Sequence, residues 1–482
     1  MSADANTDTD VAAVPLCVDL DGTLTTVDTL QEALLRLLLT RPLRALAAIR
    51  QLREGRAQFK EAVARELIAD ATVLPYRPEV LAWLREEKAA GRRLVLVTGS
   101  NYRLAEAAAA HLDLFDELIC SDATYNVSGD GKRARLVERF GERGFDYAGN
   151  DSVDLKVWPA ARQAIVANAH PGVLREAQRI ATVSRVFPRQ PSLRAWFAAL
   201  RPHQWIKNAL VFAPLAAAHK LGDPALLAVA SASFVAFSCA ASSGYLVNDL
   251  LDVEADRRHP NKRRRPFAAG LLPVRRGLIA AGALLVPAFG IAALISLKLL
   301  ALIVSYYALT LCYSLRLKRY ALIDVMLLSG LYTMRILAGS AATDITPSIW
   351  LLAFSGFIFL SLGIVKRCSE LGMMQRRGRE HPHGRGYAPS DLPMLNSLAA
   401  ASGYAAVTVL ALYVDSIPAQ MLYRYPRVLW LLCPLVLYWI SRVLLLTHRG
   451  RMHDDPIVFA IKDRISIAIA AMVLVVATIA KG

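Results

Sequence analysis

The segment Asn248–Gly270, called the acidic segment below, reads NDLLDVEADRRHPNKRRRPFAAG. It follows an apolar run, residues 225–246. Four oxygen-bearing side chains near its start fall on about one face of a helix, because residues three and four apart stack on the same side. They are Asn248, Asp249, Asp252 and Asp256. A basic cluster that includes Lys262 and Arg265 follows. Carboxylates hold Mg²⁺ together with substrate phosphates, and basic side chains bind phosphate. The pattern predicts a Mg²⁺-dependent diphosphate site, with a solvated, salt-bridged helix end as the alternative.

The composition favours a membrane setting for this site. Of the 482 residues, 55% are hydrophobic, which is too apolar for an ordinary soluble protein, and the excess lies after about residue 200. Ionisable groups at the edge of a membrane helix usually mark a functional site. We therefore expect the acidic segment to bind a substrate rather than to remain solvated.

Nine apolar segments are long enough, or nearly so, to span a bilayer. They are residues 207–219, 225–247, 277–296, 299–315, 321–342, 348–365, 393–413, 427–446 and 465–481. Lys and Arg are dense on alternate connections, so the positive-inside rule puts the acidic segment and the N-terminal half in the cytoplasm and the C-terminus outside. This predicts a multi-pass protein of the inner (cytoplasmic) membrane. The basic residues form no continuous stripe for nucleic acid, although the formal net charge is +16.

The N-terminal half alternates short apolar runs with helical patterns. One run ends in DLDGTL at residues 19–24, a second ends in TGS at residues 98–100, and GNDSVD follows at residues 149–154. Strands that end in polar residues and are separated by helices are typical of a doubly wound α/β domain. The site of such a domain lies at the carboxyl ends of its strands.

These three motifs, with Lys132 between the last two, resemble the four motifs of haloacid dehalogenase-type phosphatases. The resemblance implies that Asp19 is the nucleophile and that Asp21 protonates the leaving group. It also implies that Thr98 and Lys132 hold the phosphoryl oxygens. Such chemistry suits these residues, because a carboxylate can attack phosphorus while a metal and a lysine neutralise the charge.

The last motif departs from the family, because it opens with Gly149-Asn150 where Gly-Asp is usual. The resemblance implies that Mg²⁺ binds Asp19, Asp21 and this motif, through Asn150 or Asp151. The basic residues of the segment between the first two motifs (Arg53, Arg56, Lys60) fit a solvated helix face better than a substrate contact.

The domain organisation follows from these patterns. We expect a disordered tail at residues 1–11, a phosphatase-like domain at 12–175 with a cap at about 28–90, and a linker at 176–195. An all-α membrane bundle of about nine helices would then occupy residues 196–482.

The acidic segment and the K-x-x-R-P that follows it resemble the first signature of the UbiA superfamily of intramembrane prenyltransferases. That family normally adds a second aspartate-rich motif, and here the corresponding region has Asp324 without a second paired aspartate. A closer resemblance is to the decaprenyl-phosphate phosphoribosyltransferase branch. It rests on RPHQWIKN at 201–208, on residues 245–266, on K-R-x-x-E-L at 366–371 and on K-D-R at 462–464.

In that branch the diphosphate belongs to phosphoribosyl pyrophosphate, and the nucleophile is a polyprenyl phosphate. The resemblance implies transfer of 5-phosphoribosyl to the lipid, after which the phosphatase domain removes the 5-phosphate. Mg²⁺ would serve in both domains. The polar residues that would contact phosphates or substrate in the membrane half are Lys207, Asn208, Lys262, Arg265, Tyr313, Lys318, Arg335, Lys366 and Arg367. Taken singly, each is more typical of a topology charge or a snorkelling side chain.

Two alternatives remain open. An aromatic prenyltransferase of quinone or haem type would use a prenyl diphosphate and ignore phosphoribosyl pyrophosphate. A transporter would show internal repeats and charges near the middle of the bilayer, whereas this chain shows no repeat and its acids lie near helix ends. The sequence does not indicate an oligomeric state.

Overall fold

The computed structural model describes residues 14–189, 193–376, 386–452 and 455–482, so the tail expected at 1–11 lies outside the described residues. The chain divides into two compact units. The first comprises Met1–Ala199 together with Asp249–Ile279, and the second comprises Leu200–Asn248 together with Ala280–Gly482. The acidic segment therefore belongs, from Asp249 onward, to the same unit as the N-terminal domain.

The first unit is built on a six-stranded sheet in the order β3-β2-β1-β4-β5-β6, and every neighbouring pair is parallel. The strands are β1 (Leu16–Val18), β2 (Leu94–Asn101), β3 (Glu117–Ser121), β4 (Asp146–Gly149), β5 (Ala164–Ala167) and β6 (Val183–Phe187). The strand order reverses at β1, and ligands of doubly wound folds bind beyond the carboxyl ends of the strands at such a point. The predicted α/β class is confirmed.

Seven helices accompany the strands: α1 (Thr29–Thr40), α2 (Pro42–Arg50), α3 (Arg56–Glu66), α4 (Pro78–Ala89), α5 (Tyr102–Leu112), α6 (Asp130–Phe140) and α7 (Pro171–Ile180). Helices α1 to α3 share a small core of their own, formed by Ala33, Leu37, Ala45, Ala48 and Val63. Helix α4 instead packs on the sheet through Val80, Trp83 and Leu84. The cap is therefore α1 to α3, which is shorter than the segment 28–90 that we expected.

The segment 176–195 differs from the linker that the sequence suggested. It contains the end of α7, strand β6 and the start of α8 (Leu193–Leu200). Strand β6 pairs in parallel with β5, from Val183 opposite Ala164 to Phe187 opposite Ala167. Prolines and arginines around this strand concealed it, because a partly exposed edge strand has a weak apolar pattern.

Eight helices in the described part of the chain have the length and composition to cross a membrane. They are α10 (Pro224–Leu251), α12 (Val274–Ile295), α13 (Leu297–Leu315), α14 (Ile323–Thr343), α15 (Ile349–Arg376), Pro389–Val414 (which includes α16, Leu392–Val414), Pro426–His448 (which includes α18, Leu432–His448) and α20 (Arg464–Lys481). The shorter helices are α9 (Ala213–Ala217), α11 (Val253–Arg258), α17 (Ile417–Leu422) and α19 (Pro456–Lys462). The chain is a multi-pass integral membrane protein.

The first of the nine expected spans, residues 207–219, does not form a long helix. It consists of a 3₁₀ segment, Pro202–Phe212, followed by the short helix α9. Within the second unit, buried serines hydrogen-bond backbone carbonyls across helix pairs, as Ser361 does to Ala399 O at 2.7 Å. Small hydroxyl residues of this kind allow close helix packing where the hydrophobic effect between helices is absent.

Candidate active sites

The phosphatase-like site begins where β1 ends. Asp19 follows Val18 directly and is buried with 7% exposure, and Lys132 enters from α6 with 4% exposure. The Lys132 Nζ donates to Asp19 Oδ1 at 2.8 Å and to the Tyr147 hydroxyl at 2.7 Å. Burial raises the pKa of Asp19 to about 7, while the Lys132 ammonium opposes the rise. A carboxylate in this position therefore depends on nearby positive charge to remain ionised.

Asp21 lies where the cap meets the sheet domain. One of its carboxylate oxygens accepts from the backbone N–H of Thr29 at 2.9 Å, at the first residue of α1, and the other accepts from the Ser100 hydroxyl. Thr98 is fully buried, and its hydroxyl accepts from the Ser100 N–H at 3.0 Å. The structure thus gathers Asp19, Asp21, Thr98 and Lys132 at one end of the sheet, as the motifs predicted.

The Asn150 side chain points toward the turn that follows β1, at residues 19–24. The Thr23 hydroxyl lies 3.2 Å from Asn150 Oδ1 and 3.5 Å from Asp19 Oδ2, so oxygens from the ends of β1 and β4 converge on one point. Gly22 has a φ of +80°, and a Cβ there would lie 2.1 Å from the Asn150 amide nitrogen. This oxygen set fits Mg²⁺, which prefers carboxylate and carbonyl oxygens.

Asp151 and Asp154 have different surroundings from Asn150. Asp151 is exposed, and its Oδ1 accepts from the backbone N–H of Ser152 as a helix cap. Asp154 is buried and accepts from the backbone N–H groups of Asn150 and Asp151 and from the Tyr147 hydroxyl. Sequence reasoning assigned no role to Asp154, although it closes the GNDSVD motif. Here it fixes the loop that carries Asn150.

Lys60 on α3 also reaches this end of the sheet. Its Nζ donates to Gly99 O at 2.5 Å and to Asn126 Oδ1 at 2.7 Å. Burial lowers the pKa of Lys60, and Asp21 acts in the opposite direction. Lys60, Thr29, Ser100 and Asn101 line a cavity of about 30 Å³. The sequence suggested a solvated helix face for Lys60, and the structure shows instead a partly buried ammonium beside the second motif.

The acidic segment brings two of its carboxylates to one cation. Arg265 Nη1 donates to Asp249 Oδ1 at 3.2 Å and to Asp256 Oδ2 at 2.7 Å, and both aspartates are buried. Burial raises the pKa of Asp256 while Arg265 lowers it. Asp252 is the N-cap residue of α11, and Lys262 begins a 3₁₀ turn after it. Asp249 and Asp256 each direct an oxygen at the same positively charged group, so the two carboxylates could also bind a divalent cation such as Mg²⁺.

No group of three or more His, Cys, Asp or Glu side chains that could hold a metal ion occurs among the residues that the structure describes. A Mg²⁺ ion in either place would therefore also need amide, water or substrate oxygens. This matches the usual behaviour of Mg²⁺, which keeps waters and binds few carboxylates together with substrate phosphates. Arg265, which the sequence assigned to phosphate, pairs with Asp249 and Asp256 in the structure.

In the second unit, two of the predicted phosphate ligands meet on an aspartate that sequence reasoning missed. Lys207 Nζ lies 2.6 Å and Lys366 Nζ 3.2 Å from the same oxygen, Asp455 Oδ2. Burial favours a higher pKa for Asp455, yet the two lysines hold it well below its usual range. Asp455 also caps α19 by accepting from the Ile457 N–H. No local motif marks this residue in the sequence.

Arg335 and Asn208 adjoin this cluster. Arg335 is 4% exposed, and it donates to Asn208 Oδ1 at 2.9 Å and to the Tyr306 hydroxyl at 3.1 Å. The Tyr332 ring lies 5.1 Å from the Arg335 guanidinium carbon and 5.6 Å from Lys207 Nζ. Lys207, Lys366 and Arg335 carry three positive charges against the single Asp455 carboxylate, so the cluster suits an anionic group.

Arg367 lies in a separate network. It is 1% exposed and contacts Asp324 at 2.5 Å, Glu370 at 2.6 Å and the Tyr313 hydroxyl at 3.0 Å. Asp324 is fully buried and also accepts from the Tyr387 hydroxyl. Two acids therefore neutralise Arg367, which favours a structural role over the predicted phosphate contact. Lys318 lies in the 3₁₀ turn Leu317–Arg319 after α13.

Two protein families match different parts of this chain. Residues 209–474 match the UbiA prenyltransferase family, and residues 16–157 match the haloacid dehalogenase-like hydrolases. Uncharacterized protein y4nM of Sinorhizobium fredii is 36% identical over 95% of this chain and 90% of its own length. Nodulation protein NoeC of Azorhizobium caulinodans is 38% identical over 55% of this chain and 86% of its own. Decaprenyl-phosphate phosphoribosyltransferase of Mycobacterium tuberculosis is 42% identical over 37% of this chain and 61% of its own.

Proposed function

Since the chain belongs to the UbiA prenyltransferase family and carries an N-terminal haloacid dehalogenase-like hydrolase domain, we propose that it makes a lipid-linked pentose in two steps. The membrane domain transfers 5-phosphoribosyl from phosphoribosyl pyrophosphate to a polyprenyl phosphate. The hydrolase domain then removes the 5-phosphate and leaves polyprenyl-phosphoryl ribose. The observation that carries the proposal is that one compact unit contains both the Asp19–Lys132 pair and the convergent carboxylates of Asp249 and Asp256.

In the transfer step, the acidic segment would hold the diphosphate of phosphoribosyl pyrophosphate. Asn248, Asp249, Asp252 and Asp256 are the proposed ligands of Mg²⁺, which neutralises the leaving diphosphate when bound. Arg265 would turn from the carboxylates to the phosphate oxygens as these arrive, and Lys262 would join it. Arginine suits such an exchange, because its planar fork binds carboxylate and phosphate equally well.

The lipid phosphate would bind the cationic cluster of the second unit. Lys207 and Lys366 share the Asp455 carboxylate, and Arg335 adds a further charge beside Tyr332. The nucleophile is an anionic phosphate oxygen, so the reaction requires no general base. The protein contributes orientation and charge stabilisation, which are the main sources of catalysis when the nucleophile is already ionised.

In the hydrolysis step, an Asp19 oxygen attacks the phosphorus of the 5-phosphate, and the bond from phosphorus to the sugar oxygen breaks. Asp21 gives its proton to that oxygen, and Lys132 balances the charge on the transferred group. Water then cleaves the aspartyl phosphate. The hydrogen bond between Asp21 and the first residue of α1 supports this role, because it holds the acid at the cap boundary where the sugar would lie.

The proposed location is the inner membrane, with the hydrolase domain in the cytoplasm. The orientation rests on the positive-inside rule, because Lys and Arg are dense on alternate connections, including the one that follows α10. The same alternation would place the C-terminus outside.

The rival aromatic prenyltransferase finds less support. Asp324, the acid in the region of the second UbiA motif, is fully buried and bound to Arg367 and Tyr387. Both Asp324 and Arg367 are almost completely buried, whereas the Arg265 side chain is 27% exposed, so Arg367 has less room to turn away and free its carboxylate for a second Mg²⁺.

The test uses the purified protein in detergent with Mg²⁺, radiolabelled phosphoribosyl pyrophosphate and polyprenyl phosphate, beside an Asp19→Asn variant. We expect label in the lipid fraction, with a phosphopentose lipid accumulating only in the variant. Absence of label in lipid, with activity on a prenyl diphosphate and an aromatic acid instead, would establish the rival.

A further inference from the structure

Within the first unit, cap helix α1 is joined to helix α11 of the acidic segment by a buried ion pair. Arg257 Nη1 and Nη2 donate to Glu32 Oε2 and Oε1 at 2.8 and 2.7 Å, and the side chains are 6% and 11% exposed. The third donor, Arg257 Nε, binds the Ala268 carbonyl at 3.0 Å. The guanidinium thus connects the cap, α11 and the chain beyond the basic cluster.

Further contacts flank this pair. Arg36 pairs with Glu254, and Arg258 pairs with Asp70 at 2.8 Å. Gly270 packs against Thr26 with a φ of +67°, and a Cβ there would lie 1.8 Å from the Thr26 hydroxyl oxygen. Between Glu254 and Gly270, the acidic segment therefore contacts α1 of the cap and also the chain just before and just after the cap.

The buried pair is the contact that fixes this geometry. Exposed ion pairs such as Arg258–Asp70 contribute little, because water screens them. A bidentate pair that is mostly buried behaves differently, because each charge depends on the other and the two parallel hydrogen bonds set the relative orientation of the side chains.

The pair stands next to the proposed diphosphate ligands. Arg257 follows Asp256 directly, and α11 begins immediately after Asp252. We propose that Glu32 is a positioning residue of the transferase: by holding Arg257, it fixes α11 so that Asp252 and Asp256 are oriented for Mg²⁺ and diphosphate. The phosphatase cap is then a structural part of the transferase, in addition to its role in hydrolysis. This inference rests on the proposed function of the acidic segment.

Glu32→Gln tests the proposal, because the amide keeps the shape and removes the charge that holds Arg257. Removing a residue that holds metal ligands in position usually lowers the affinity of the site by about tenfold or more. We therefore expect KM for phosphoribosyl pyrophosphate to rise by about that factor in Glu32→Gln. The KM for polyprenyl phosphate should stay unchanged. Arg257→Lys, which keeps the charge but loses the fork, should give an intermediate rise.

The matched control is Glu66→Gln, which removes an acid of the same cap that pairs with the exposed Arg44. This variant should leave KM for phosphoribosyl pyrophosphate at the parent value. A Glu32→Gln protein that behaves like Glu66→Gln overturns the proposal.

A binding measurement separates this inference from the proposed function. Inorganic diphosphate with Mg²⁺ should raise the thermal midpoint of the parent protein, and Glu32→Gln should need about tenfold more diphosphate for the same rise. Amide hydrogen exchange without Mg²⁺ should be faster in residues 253–258 of the variant. If the parent makes no lipid-linked pentose, the proposed function fails while these two readouts still decide the role of Glu32. Equal diphosphate response and equal exchange in parent and variant overturn that role.

Discussion

Lys207 and Asp455 lie 248 positions apart in the chain, yet the lysine Nζ donates to the carboxylate at 2.6 Å inside the membrane unit. Lys366 donates to the same oxygen, so one acid holds two lysines side by side. Two ammonium groups this close would repel each other without it. Asp455 therefore keeps in place a pair of cations that a substrate phosphate can use.

Replacing either lysine should weaken binding of the lipid phosphate. We expect Lys207→Gln and Lys366→Gln to raise KM for polyprenyl phosphate by about tenfold, since a hydrogen bond to a charged group contributes roughly 1.5–3 kcal/mol. The KM for phosphoribosyl pyrophosphate should change little. Lys298→Gln is the control, because that lysine is 78% exposed and its partner Asp344 is also at the surface. Equal effects on both substrates would contradict the assignment.

The stability of the membrane unit should depend on the charge of Asp455 at acid pH. Its pKa in the folded protein is below the unfolded value, so the ionised carboxylate stabilises the fold at pH above about 4 and loses that contribution as the pH falls further. Asp455→Asn should lower the free energy of unfolding by about 3 kcal/mol at pH 7. The difference between the thermal midpoints of parent and variant, measured in detergent, should decrease from pH 5 to pH 3. A constant gap would mean that the carboxylate does not titrate in this range.

Arg367 should matter for stability more than for substrate binding. Removal of one member of a buried ion pair costs about 3–5 kcal/mol, so Arg367→Met should lower the thermal midpoint sharply. The KM values of the protein that remains folded should stay near those of the parent. Arg376→Met, at the exposed end of the same helix, is the control. A variant that stays stable but has a raised KM would instead support the phosphate contact that the sequence predicted for Arg367.

Asn150 should set the Mg²⁺ requirement of the phosphatase. Asn150→Asp replaces an amide oxygen with a carboxylate next to Asp19, so the Mg²⁺ concentration for half-maximal phosphate release should fall by roughly tenfold. Asp151→Asn should leave that concentration unchanged, because the Asp151 carboxylate caps Ser152. If Asp151→Asn raises the Mg²⁺ requirement and Asn150→Asp leaves it unchanged, then Asp151 is the Mg²⁺ ligand.

The sequence predicted which side chains of the hydrolase domain lie close together at one end of the sheet, because these residues fall in short motifs near strand ends. Asp19 and Asn150 directly follow β1 and β4, and Thr98 lies in the second half of β2; a parallel sheet brings these carboxyl-terminal parts of its strands together. Cap contacts were harder to foresee. Lys60 and Glu32 lie on amphipathic helices whose charged residues all resemble a solvated face, and their partners are distant in sequence.

The membrane site was only partly predictable for a related reason. Lys207, Lys366 and Arg335 were identified as charges near or within apolar segments, where an ionisable group is costly. Asp455 was missed, because it stands in a short polar connection without a spaced motif. Arg367 was assigned to phosphate because sequence cannot show that Asp324 and Glu370 already neutralise it.

The two hydrogen bonds of Asp21 have a kinetic consequence for the proposed hydrolysis. One carboxylate oxygen accepts from the Thr29 N–H at the start of α1, and the other accepts from the Ser100 hydroxyl on β2. A movement of the cap away from the sheet would break the first bond and keep the second. Lid motions of this kind take microseconds to milliseconds and often limit turnover. In an enzyme limited in that way, the rate of sugar release would report how often the cap opens, rather than how fast the phosphate bond is broken.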